Sequence, residues 1–224
     1  MRMRLKKHLE ERIADCNSLL LAREGDGFFR LSEEEKKAHI IDLEKVFGNT
    51  NPVVLEIGCG KGAWAIQSAK LHPEYNYLAL EKLSNVIVVA CELAMQQNLP
   101  NLKFINIRAE NLDSFVATKS VSQISLNFSC PFPKKTYSNR RLTSEYFLEI
   151  YKRILTDDGV IYQKTDDIDF FEWSIESYRE HGFEVYDINY DLPADATDNV
   201  VTEYEAKFRT LGKKINALKA KPIK

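Results

Sequence analysis

The chain has 224 residues, 44% of them hydrophobic and 29% charged, with a net charge of −2. That length suffices for one large domain with its own core. The near-neutral balance excludes a globally basic nucleic-acid binder, so any basic binding face must be local. No apolar run approaches about 20 residues, and the N-terminal MRMRLKKHLEERIADC is charged throughout; neither a membrane span nor a secretory signal is expected. Cys16, Cys59, Cys91 and Cys130 form no C-x-x-C pair and do not cluster with His8, His39, His72 or His181. The expectation is a reduced, cytoplasmic protein with neither a metal site nor disulfides.

In chain order, residues 1–51 read as an N-terminal helical extension of the same domain, with a capping box at Ser32–Glu35. Residues 52–224 form the main domain. VVLEI (53–57) is an apolar strand entering a glycine loop, followed by a helix from about Gly62 to Leu71. YNYLALE (75–81) is the second strand. Ser84 can cap a helix that ends near Asn98, before Pro100. LKFINI (102–107) and QISLNF (123–128) are the third and fourth strands. Thr143 can cap a helix whose Phe147, Ile150, Tyr151, Ile154 and Leu155 share one face. VIYQK (160–164), a helix from about Asp169 to Glu180, FEVYDINY (183–190) and EYEAKF (203–208) complete the pattern. Alternation of this kind predicts an α/β, mostly parallel sheet with helices on both faces. The last two strands, with no helix between them, predict one late antiparallel strand.

LEIGCGKGAW sets Gly58, Gly60 and Gly62 at the end of the first strand, where open α/β sheets bind ligands. Gly58, Gly60 and Ala63 also satisfy a loose dinucleotide fingerprint, which makes a nicotinamide dehydrogenase a competitor. Glu56, two residues before the first glycine, tilts the choice. A carboxylate there repels a pyrophosphate and suits the ammonium and sulfonium of S-adenosylmethionine. Glycines at every second residue resemble the E-x-G-x-G-x-G loop of class I methyltransferases. Glu81, ending the second strand, can accept hydrogen bonds from ribose hydroxyls. Adenine would lie near Ile107, Arg108, Ala109 and Glu110.

After the fourth strand comes NFSCPFPKKTYSNRRL, Asn127 to Leu142. Pro131 and Pro133 stiffen the exit from the sheet. Lys134, Lys135, Arg140 and Arg141 then offer a cationic rim, which suits an extended anionic substrate such as RNA. Arg2–Lys7 and the tail Lys213–Lys224 are further basic runs, read by themselves as solvated charge.

These motifs resemble, over most of the chain, the bacterial tRNA (guanine-N7-)-methyltransferase family. Its E-I-G-x-G-x-G is EIGCGKG here, and its N-F-x-D-P-W-P-K-K block is NFSCPFPKK, followed by RRLT at Arg140–Thr143. Its K-T-D is Lys164–Asp166, and its T-x-Y-E-x-K-F is Thr202–Phe208, followed by Gly212. The resemblance implies a Rossmann-like class I methyltransferase fold with a seven-stranded sheet. It implies S-adenosyl-L-methionine bound by Glu56, Gly58, Gly60, Glu81, Arg108, Ala109 and the Cys130 position. The target guanosine would be surrounded by Lys134, Asp166, Thr202, Glu203, Tyr204 and Glu205, and tRNA would be met by Lys135, Arg140 and Arg141.

Three residues depart from the family pattern: Cys130 replaces an aspartate, Phe132 a tryptophan, and Arg108 the usual aspartate after the third strand. Guanine N7 carries an in-plane lone pair and needs no deprotonation, so alignment and negative potential suffice. Asp166 and Glu205 can supply both, and an active enzyme is expected. The competing readings are a tRNA-binding homologue inactivated at Cys130 and a class I methyltransferase acting on another RNA. Monomer and homodimer both remain open.

Overall fold

The computed structural model describes residues 6–25, 27–197 and 199–224. The chain divides into two compact units, the first ending at Ala117 and the second beginning at Thr118.

The first unit opens with α1 (Leu9–Asp15) and β1 (Leu20–Arg23), then the short helices α2 (Glu33–Lys37) and α3 (Leu43–Phe47). β2 (Val53–Ile57), α4 (Ala63–Leu71), β3 (Asn76–Leu80), α5 (Ser84–Met95) and β4 (Leu102–Asn106) follow, with a 3-10 turn at Ala109–Ser114. The Ser32–Glu35 capping box is formed as expected. The expectation of a purely helical first 51 residues is corrected: β1 pairs in parallel with β4. Its LLAR is too short for periodicity to declare it a strand. β4 pairs with β3, and β3 with β2, all parallel. Every residue of β2 and β3 is buried, as a parallel strand covered on both faces requires. Ser84 does not cap α5. Leu83 occupies that position, and the Ser84 hydroxyl donates to Asn106 Oδ1 at 2.7 Å.

The second unit contains β5 (Val121–Asn127), α6 (Glu145–Ile154), β6 (Leu155–Thr165), α7 (Ile168–Glu180), β7 (Phe183–Asn189), α8 (Glu203–Thr210) and β8 (Asn216–Pro222). β5 and β6 are parallel; β8 lies between β6 and β7 and runs antiparallel to both. Among the described residues the sheet strands number eight rather than seven, still mostly parallel, and the late antiparallel strand is β8.

Three local expectations change here. EYEAKF is helix α8, not a strand. The Thr202 hydroxyl accepts the Glu205 N–H at 2.9 Å as an N-cap, and Glu205 pairs with Arg209 one turn later. Alternation over six residues cannot outvote a cap and an i,i+4 ion pair. The basic tail is not merely solvated charge, because Ala217, Leu218 and Ala220 are buried in β8. Its outward Lys219 and Lys221 face Asp187 and Glu184 of β7. Finally, Ser144 and not Thr143 precedes α6; the Thr143 hydroxyl is buried against Ser174 Oγ.

The glycine loop carries the sharpest steric constraint. Gly62 has φ +78°, and a Cβ there would stand 2.9 Å from the Ala90 Cβ of α5. Gly62→Ala is expected to cost about 2 kcal/mol from the left-handed backbone and the collision together. A lowered urea midpoint with an unchanged slope is the readout.

Candidate functional site

The first unit carries most of the residues predicted for the cofactor. Glu56, one residue before the end of β2, is buried, and the chain turns through Gly58, Gly60 and Gly62, all at positive φ. The N–H groups of Gly58 and Cys59 both donate to Leu80 O at 2.8 Å, so the loop is clasped to the end of β3. A Cβ at Gly58 or Gly60 would meet nothing within 4 Å. Their surfaces are open to a ligand, whereas Gly62 is there for packing. Burial pushes the Cys59 thiol well up, and the carboxylates of Glu56 and Glu81 push it further. Two acidic groups thus converge on this loop.

Glu81 follows β3. Burial raises its pKa, opposed by N–H groups of Leu83, Gly60 and Lys82; the Leu83 N–H donates to Oε1 at 2.9 Å. Asn106 Nδ2 donates to the Glu81 carbonyl at 2.7 Å and fixes the backbone. Asn106 was not singled out from sequence; an Asn ending an apolar strand is its only signal. Ala109 is buried at the start of the 3-10 turn. The Arg108 side chain is exposed and reaches towards Glu24, while its N–H donates to Glu24 Oε2 at 2.9 Å.

The second unit carries the residues predicted for the substrate side. Phe128 leaves β5 with φ +52°, and Phe132 has φ +42°. Cys130 is exposed, as are Lys134 and Lys135. A 3-10 turn follows at Lys135–Arg140. Arg140 is exposed, with its guanidinium 4.7 Å from the Phe132 centroid and 5.4 Å from that of Tyr137. Arg141 departs from expectation. It is buried, donating from Nε to Pro131 O (2.9 Å) and from Nη2 to Phe132 O (3.2 Å).

Asp166 follows β6. Its carboxylate is mostly covered and accepts from Lys213 Nζ, and this bond raises the Lys213 pKa. The cap of α7 is the next residue, Asp167, which accepts the Phe170 N–H at 2.8 Å. Thr202 caps α8. Tyr204 is half-exposed, its ring 5.2 Å from Phe128 and 4.4 Å from Phe208. The side chain of Glu203 lies outside the described residues.

Glu205 is turned inward and fully buried. Its Oε2 accepts from Lys164 Nζ at 2.8 Å. Its Oε1 accepts from Asn199 Nδ2 at 2.9 Å and from Arg209 Nη2 at 2.7 Å. Lys164 Nζ also donates to Asn199 Oδ1 and Val200 O. The expected contact between Glu205 and a base is therefore corrected to a contact with the protein's own cations. Sequence could not reveal this, because Lys164 and Glu205 are 41 positions apart.

Residues 50–218 match the family model described as "Putative methyltransferase". A tRNA (guanine-N(7)-)-methyltransferase of Geobacillus sp. (strain WCH70) is 38% identical over 216 residues, covering 96% of this chain and 93% of the relative. One of Bacillus cytotoxicus is 36% identical over 222 residues, covering 99% and 97%. The chain belongs to the tRNA (guanine-N(7)-)-methyltransferase family.

Among solved structures, an antibiotic-related methyltransferase superposes with a TM-score of 0.61 at 16% identity, covering 86% of this chain and 95% of the other. The 16S rRNA methyltransferase KamB gives 0.60 at 16%, covering 89% and 94%. Those likenesses bear on fold, which is that of the class I methyltransferases. The methyl donor is accordingly S-adenosyl-L-methionine. In the first unit, the open Gly58 and Gly60 and the carboxylates of Glu56 and Glu81 near the same loop are chemically suited to that donor. Among the described residues no cluster of His, Cys, Asp or Glu could hold a metal ion. No described helix is long and apolar enough to cross a membrane.

Proposed function

We propose that this protein methylates N7 of a guanine in tRNA, the variable-loop guanosine, forming m7G. The observation that carries this reading is 36–38% identity, over nearly the full length, to relatives named tRNA (guanine-N(7)-)-methyltransferase. The cofactor supplies an electrophilic methyl group on a sulfonium. Glu56 holds the ammonium end, Glu81 the ribose hydroxyls, and Gly58 and Gly60 allow close backbone approach. The Arg108–Ala109 segment meets adenine.

On the acceptor side, N7 attacks through its own lone pair, so no residue must remove a proton. Asp166 accepts from the guanine N–H groups once Lys213 has moved off it, and its charge offsets the positive charge growing on the ring. Tyr204 and Thr202 border the base. Lys134 also borders the base, and Lys135 and Arg140 meet phosphates. Glu205 acts by holding α8 in place. Cys130 stands where the family carries an aspartate; the missing charge slows the reaction by about a hundredfold without abolishing it. Residues 1–51 belong to the same catalytic domain as 52–224, and the setting is the cytoplasm.

Labelled methyl transfer from S-adenosylmethionine to unmodified tRNA tests the proposal, with borohydride and aniline cleavage locating m7G. The wild type is expected to label tRNA, and Cys130→Asp to do so up to about a hundredfold faster. Tight tRNA binding without any transfer, cured by Cys130→Asp, would instead identify an inactivated homologue. Label appearing only in other species of total RNA would redirect the substrate.

A further inference from the structure

The basic segment after β5 holds four cations within eight residues, Lys134 to Arg141, and sequence spacing treats them alike. The structure does not. Lys134, Lys135 and Arg140 are exposed, whereas Arg141 is 9% exposed. We infer that Arg141 is a positioning residue for the reaction rather than a contact to the nucleic acid: it clamps the Pro131–Phe132–Pro133 turn onto α7. This rests on the methyl-transfer reading above.

The clamp is made of directed contacts. The guanidinium fork donates to two successive carbonyls, Pro131 O and Phe132 O. Its Cζ lies over the Trp173 ring, 4.3 Å from the centroid, and 5.9 Å from the centroid of Phe170, both on α7. Arg141 is itself fixed at both backbone groups. Its N–H donates to Ser138 O at 3.1 Å, and its carbonyl accepts the Ser144 N–H at 3.0 Å. A phosphate would have to displace bonds already made and pull the cation off an aromatic face.

What it clamps needs clamping. Phe132 is a bulky residue at φ +42°, a backbone state that persists only where the surroundings impose it. Arg141 binds the carbonyl of that residue. Arg140, over the Phe132 ring, holds the side chain from the solvent side. The turn carries Cys130, the position of the family aspartate, at one end and Lys134, which borders the base in the proposed reading, at the other. A planar fork spanning two carbonyls while stacking on indole is a task lysine cannot perform.

The test compares Arg141→Lys, Arg141→Ala, Trp173→Leu and Lys135→Ala with the wild type. Methyl transfer to tRNA gives kcat and KM, tRNA affinity is taken at several salt concentrations, and amide hydrogen exchange is followed over residues 130–137. Arg141→Ala is expected to lower kcat about 100-fold, with faster exchange in the turn and an unchanged salt slope. Lys135→Ala should reduce the slope by about 0.9 and leave exchange alone. Arg141→Lys should not rescue kcat, and Trp173→Leu, which removes no charge, should imitate Arg141→Ala. The inference is overturned if the Arg141→Ala slope falls by about 0.9, if lysine restores activity, or if exchange is unaltered. Wild-type transfer in the same assay tests the functional reading separately. Exchange still decides the clamp if that reading fails, and Trp173→Leu and Arg141→Lys decide it if Arg141→Ala does not fold.

Discussion

Glu205→Ala is expected to destabilise the protein by about 3–5 kcal/mol, because it strands a fully buried ammonium. Lys164 would keep Asn199 and Val200 as partners but lose its counter-charge, and Arg209 would lose the carboxylate that ties α8 together. The loss should appear as a lower midpoint in chemical denaturation. Replacing the pair together, as Lys164→Met with Glu205→Leu, should restore part of it, since two matched apolar groups cost less than one orphaned charge. Failure of the single variant to lose at least 2 kcal/mol would mean that Lys164 finds another counter-charge.

The same carboxylate sets an acid limit. Burial tends to raise its pKa, but Lys164, Asn199 and Arg209 outweigh that and leave it below its ordinary value of 4.5. A depressed carboxylate contributes stability in full above its unfolded value and loses it as pH falls through its folded value. Wild-type stability should therefore decline below about pH 4.5, and Glu205→Gln should remove that part of the decline.

The second large effect is expected at Glu81. On the proposed cofactor assignment, Glu81→Ala would remove a charged acceptor for two ribose hydroxyls, a loss of about 3 kcal/mol, or a dissociation constant about a hundredfold higher. Calorimetric titration with S-adenosylmethionine or its demethylated product reads this directly, with no need for turnover. Burial raises the Glu81 pKa, so affinity should fall on acidification earlier than for an ordinary carboxylate. Cofactor binding unchanged by Glu81→Ala would remove Glu81 from the site.

The glycine loop and the first three predicted strands were legible because their signals are local. The first apolar run ends at Gly58 and the next two at charged residues, and β2, β3 and β4 fall within one residue or so of their expected limits. The resemblance to the methyltransferase family was equally legible, since several motifs occur in a fixed order. What failed was information held between distant residues. Whether Arg141 faces solvent depends on Trp173, 32 positions later. Whether Glu205 meets a substrate or the core depends on Lys164. The tail from Lys213 showed mainly charge in sequence. Its lysines alternate with buried Ala217, Leu218 and Ala220, and only the facing carboxylates of β7 explain why the strand tolerates them.

Lys164 has a consequence for chemical footprinting. Amine-reactive reagents need an accessible, deprotonated nitrogen, and its ammonium is fully enclosed, with three hydrogen-bond acceptors. Lys134 and Lys135, exposed on the turn, should acylate within the first moments of labelling. Lys164 should acylate only when the second unit opens. Mass-spectrometric readout of that one amine would then time the opening of the second unit, with Lys134 and Lys135 as internal clocks for the reagent.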